Sequence, residues 1–109
     1  MEHRWCERQP TKLAAAIYHQ GYSGVAGMIR NVSTDGLFVS SSTMVVTMGA
    51  VLEVTFSLTI DGMKQRICLP AMVVHRYNQG VGLMLLRPLS EELHQLMLAP
   101  SQQCGALAA

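Results

Sequence analysis

The most regular pattern in the chain runs from Leu52 to Ile60, where Leu52, Val54, Phe56, Leu58 and Ile60 alternate with Glu53, Thr55, Ser57 and Thr59. A period of two is the repeat of an extended strand with one face buried. Asp61-Gly62 follows, a pair that tolerates the left-handed backbone of a two-residue hairpin turn. Ile67, Leu69, Ala71 and Val73 then predict the returning strand. Pro70 falls inside it and has no N–H to donate, so that position is expected at an edge or a bulge.

The same reading predicts strands over Lys12–Tyr18, Val25–Asn31, Leu37–Ser40 and Val81–Leu86, separated by turns at Gly21–Gly24 and Asn78–Gly80. The stretch from Ser41 to Gly49 reads as a loop or a short strand and is left unassigned. After Pro88, Ser90 precedes Glu91-Glu92, the order expected for a capped helix start. Leu89, Leu93, Leu96 and Met97 recur at helical spacing, so this helix should lay one apolar stripe over an opening of the sheet. Six or seven short strands followed by one helix point to an antiparallel β-barrel, an all-β fold. Residues 1–98 form a single domain with an amino-terminal arm over 1–11, and the small, polar residues 99–109 are expected to be a flexible tail.

Composition narrows the function. The chain has 109 residues, enough for one modest core, with 50% hydrophobic and 14% charged residues and a mean hydropathy of +0.24. Eight Lys+Arg against seven Asp+Glu leave a net charge of +1. DNA or RNA binding rests on many phosphate contacts and is not expected from so little positive charge. Cys6, Cys68 and Cys104 are an odd set without CxxC spacing, which argues against a disulfide framework, a zinc site and an oxidising compartment. No charged start leads into an apolar run, and the uncharged stretch from Gly36 to Val51 is broken by serines, threonines and Gly49. The expectation is a cytoplasmic protein, a monomer or weak dimer, without membrane insertion. The Asn31-Val32-Ser33 sequon then has no glycosylation to report.

Chemistry concentrates in two places. Asn31-Val32-Ser33-Thr34-Asp35-Gly36 is a polar insert between two predicted strands. In extended chain, Asn31 and Ser33 share a face roughly 7 Å apart, and Gly36 is expected to take a positive φ that returns the chain into the next strand. Upstream, Arg4 and Arg8 are two planar cations at a spacing of four, each able to grip phosphate or a guanine edge bidentately. They start roughly 13 Å apart on an extended arm or about 6 Å apart on a helical turn. The plainer alternatives are two solvated arginines pairing weakly with Glu2 and Glu7, and a turn whose polar side chains satisfy their own backbone.

RxxxR near the amino terminus followed by NxSxxG at a strand end resembles the PilZ domain family, bacterial receptors for the second messenger cyclic di-GMP. The likeness continues through the Gly80-Val81-Gly82-Leu83 strand to the short helix. It implies a six-stranded antiparallel barrel with a carboxy-terminal helix, and ligand contacts from Arg4, Arg8, Asn31, Ser33 and Gly36. Gly82 would leave room for a ligand ring beside the barrel wall. The implied partners are cyclic di-GMP and an unidentified effector protein. With three residues ahead of Arg4, signalling is expected to act in trans. The alternative is an adaptor of the same fold that binds protein and no nucleotide. His3, His19, His75 and His94 show no metal-ligand spacing and no nucleophile motif occurs, so neither an enzyme nor a bound cofactor or metal is expected.

Overall fold

A computed structural model describes residues 9–19, 24–41 and 46–98. Six strands, β1 (Gln9–His19), β2 (Val25–Val32), β3 (Gly36–Ser40), β4 (Val51–Ile60), β5 (Met63–Tyr77) and β6 (Gly80–Leu85), precede one helix, α1 (Glu91–Leu98). The strands close into an antiparallel barrel in the order β1-β2-β3-β6-β5-β4, with β4 pairing back onto β1. The expected fold class is therefore observed. The arm carrying Arg4 and Arg8 and the tail from Ala99 lie outside the described residues.

Alternation places the core as the pattern in β4 predicts. Leu52, Val54, Phe56 and Leu58 point inward and are buried, while Glu53, Ser57 and Thr59 are exposed. Thr55 departs from that division. It is buried on the outer side, opposite Ala16 of β1 and Cys68 of β5, with its hydroxyl 3.5 Å from the Cys68 sulfur. Ile29, Leu37, Val39, Val73 and Leu83 complete the centre of the core from the other strands. Burial of each such side chain stabilises the fold by about 1.5–3 kcal/mol.

The β4–β5 turn has φ of +54° at Asp61 and +78° at Gly62, the paired left-handed residues of a tight hairpin. Pro70 lies just beyond the β5–β6 register, which starts at Ala71↔Leu85, and its carbonyl accepts from the Leu86 N–H at 3.1 Å. Backbone groups of one strand residue point to the same side, so the missing N–H faces the side on which β6 has ended.

The helix start is capped as expected, with the Leu93 N–H donating to Ser90 Oγ at 3.1 Å. Helix α1 packs against β1 and β2, burying Met97 completely, with Leu89 buried just ahead of it and Leu93 and Leu96 partly so. Thr11 of β1 fastens its far end by donating to the Met97 carbonyl at 2.6 Å. No helix among the described residues is long and apolar enough to cross a membrane.

Candidate functional site

The two polar residues of NxSxxG have different environments. Strand β2 ends at Val32, so Ser33 is already in the turn and is 4% exposed. Its N–H donates to the Gly36 carbonyl at 2.9 Å, and its hydroxyl accepts from the Gly36 N–H at 3.1 Å. The expected outward ledge shared by Asn31 and Ser33 is not what forms, because the strand geometry that would align them stops between them. The positive φ expected of Gly36 is also absent: among the described residues only Gly49, Asp61 and Gly62 have one. Gly36 is needed for a different reason. A Cβ there would stand 2.7 Å from the Leu83 carbonyl oxygen of the paired strand.

The turn is tied to its surroundings through its backbone. The Asp35 carbonyl accepts from the Leu85 N–H at 2.7 Å, and the Thr34 carbonyl from the Leu89 N–H at 3.0 Å. One short loop therefore holds the end of β6 and the segment that leads into α1.

Asn31 lies on the outer face. A register shift in β2 between Ile29 and Asn31 sets it opposite Phe38 while Val32 remains in the core. Its Oδ1 is shielded from water and has no hydrogen-bond partner among the described residues. Such a group ordinarily finds one, because an unpaired buried acceptor costs about 1–3 kcal/mol.

Cross-strand pairing extends this row from Asn31 to Phe38 of β3, Gly82 of β6 and His75 of β5. A second register shift, between Val73 and His75, sets the β5 end of the row. Bulges of this kind re-aim side chains and recur beside functional sites. The Phe38 and Tyr77 rings meet edge to face at 5.4 Å and 74°, and His75 lies 6.1 Å from Tyr77. Gly82 is buried beneath them: a Cβ would lie 3.3 Å from His75 Cβ and 3.7 Å from Tyr77 Cε2. The room expected over Gly82 is thus filled by the protein's own side chains. Beside the rings, Asn31, Phe38, Tyr77, Asn78 and Gln79 line an open depression of about 580 Å³, a size suited to a small ligand.

Asn31 and Gly82 are therefore brought into one outer row, with Ser33 and Gly36 supporting it from the turn. Phe38 and Tyr77 were not singled out from the sequence, since 39 positions separate them and only the β3-β6-β5 order brings them together. An aromatic at the solvent-facing position of Leu37-Phe38-Val39 was the available signal. Among the described residues no cluster of three His, Cys, Asp or Glu could hold a metal ion.

A family model described as PilZ domain matches residues 2–99. The chain belongs to the PilZ domain family. PilZ domains are regulatory binding domains and generally receptors for cyclic di-GMP. Two solved structures share the fold of this PilZ domain. The PilZ domain of CeSA from a cellulose-synthesizing bacterium is 16% identical at a TM-score of 0.62, covering 94% of this chain and 99% of that one. The Bacillus subtilis inhibitor of motility MotI/DgrA is 14% identical at a TM-score of 0.69, covering 97% of this chain and 53% of that one. Identities this low establish likeness of fold alone. No curated protein matches the sequence.

Proposed function

We propose that this PilZ domain is a cytoplasmic receptor that binds cyclic di-GMP and signals in trans to a partner protein. The supporting observation is Asn31, which lines the depression beside the motif turn and whose shielded Oδ1 has no hydrogen-bond partner among the described residues. The Watson–Crick edge of guanine carries an N1–H and an N2 amino group, two donors suited to a carbonyl that meets none among the described residues. Ser33 and Gly36 hold the turn that presents Asn31, and Gly82 seats the aromatic side chains above it. Arg4 and Arg8 supply the charge, gripping phosphate and guanine by bidentate hydrogen bonds and stacking. Ordering the arm around the ligand costs conformational entropy, which charge-assisted bonds to a dianion offset. The altered position of the arm is then what a partner reads.

Calorimetric titration with cyclic di-GMP tests this directly. Arg8→Ala should weaken binding at least about tenfold, as a hydrogen bond to a charged group contributes about 1.5–3 kcal/mol. Unchanged affinity would refute the role of that arginine. The adaptor reading is favoured by one observation, the exposed apolar side chains of Val51, Met84 and Leu86, which suit a protein contact. Thermal denaturation separates the two readings. Ligand at a hundred times its dissociation constant adds about 2.7 kcal/mol to a receptor, and nothing to an adaptor that does not bind it.

A further inference from the structure

Tyr77 closes β5 next to the Asn78-Gln79 turn and remains 51% exposed, although it packs edge to face on Phe38. Seating of the ring over Gly82 explains its position. It does not explain why so large an aromatic surface stands open beside a buried acceptor that lacks a donor among the described residues. Arg30 adds charge to the same face. At the β2 register shift its guanidinium reaches across to β3, donating from Nε to Ser40 Oγ at 3.0 Å. Ser40 follows Phe38 on the outer side of β3 and pairs with Gly80, which itself pairs with Tyr77. Strands lie about 4.8 Å apart, so this cation is held within about two strand spacings of the Tyr77 position. No described residue forms an ion pair with it.

Building on the cyclic di-GMP reading, we propose that Tyr77 and Phe38 form a stacking wall for one purine of the ligand, and that Arg30 is a third cation beside its phosphate. Flat aromatic faces hold nucleobases by stacking, and Asn31, whose shielded Oδ1 has no partner among the described residues, lines the same depression, where a small turn of its side chain would let it accept from the base. An exposed guanidinium that a serine hydroxyl orients is free to turn from that hydroxyl to a phosphate oxygen. The described face then recognises base and charge together.

The experiment is calorimetric titration of the full chain with cyclic di-GMP, with thermal midpoints measured on every variant. Tyr77→Phe keeps a ring and should bind within about twofold of the wild type. Tyr77→Leu keeps bulk over Gly82 without a ring, and should bind about five- to a hundredfold more weakly at a near-native midpoint. Arg30→Gln should weaken binding about two- to fivefold and flatten its salt dependence. At saturation, the Tyr77 ring protons should move upfield in the NMR spectrum under the ring current of the base. Wild-type affinity in Tyr77→Leu with no such movement overturns the stacking wall and leaves the receptor reading standing. Failure of the wild-type chain to bind cyclic di-GMP overturns both.

Discussion

Gly36 allows the physical account of the motif turn to be tested without any ligand. Had the glycine been needed for a left-handed backbone, asparagine would be a tolerable replacement, since its short polar side chain enters that region. The structure assigns a steric cause instead, a Cβ only 2.7 Å from the Leu83 carbonyl oxygen. That oxygen belongs to the backbone of β6, paired along its length with β3, and cannot swing away as a side-chain tip would. Overpacking costs about 1–3 kcal/mol, and a rigid neighbour sets the expectation in the upper part of that range. Lost freedom of the unfolded chain returns about 0.4–1 kcal/mol. Gly36→Ala should therefore destabilise by about 2 kcal/mol, roughly 8 °C or more in Tm, and Gly36→Asn by at least as much. Gly62 is the internal control, with φ of +78° and nothing within 4 Å of an added Cβ. Alanine there should cost about 1–2 kcal/mol, and asparagine clearly less. Urea denaturation of the four variants makes the comparison. Near-native stability of Gly36→Asn would refute the steric account.

Ser90→Ala removes the hydroxyl that accepts from the Leu93 N–H and should lower stability by about 1 kcal/mol in the same assay. Thr11→Val leaves the Met97 carbonyl without its donor; a loss of about 1 kcal/mol is expected, with faster amide exchange over Glu91–Leu98 than in the barrel. Asn31→Leu removes a shielded acceptor that has no partner among the described residues, so the fold should be at least as stable as wild type while cyclic di-GMP affinity measured by calorimetry falls. A drop in stability for that variant would show that Asn31 serves the fold.

How far the fold was legible varied with burial. β4 was read almost to its ends because one face is packed and the other wet, which imprints a period of two. β5 was expected over Ile67–Val73 and runs from Met63 to Tyr77. Its additional residues are Met63–Arg66 and Val74–Tyr77; all but the half-buried Val74 are exposed on both faces, so no alternation could mark them. Within the site, Asn31 and Ser33 look equivalent in sequence. They diverge because a register shift and a strand end, neither visible in a two-residue spacing, fall on either side of them. Phe38 and Tyr77 are joined through β6, a pairing of non-consecutive strands that local pattern does not encode.

The division of labour inside NxSxxG changes what the motif signifies. Ser33 and Gly36 close the turn on each other, and the carbonyls between them hold the end of β6 and the approach to α1. These contacts serve the barrel whether or not a nucleotide is bound, so a chain that had abandoned its ligand would still need the serine and the glycine. Asn31 is under the opposite constraint. Its buried carbonyl, without a donor among the described residues, is a cost to the folded chain, and a variant freed from ligand binding would gain stability by replacing it with an apolar side chain. If the proposed cyclic di-GMP reading holds, the polar identity of residue 31, rather than the completeness of the motif, is the feature in the barrel that separates a receptor from an adaptor of the same fold.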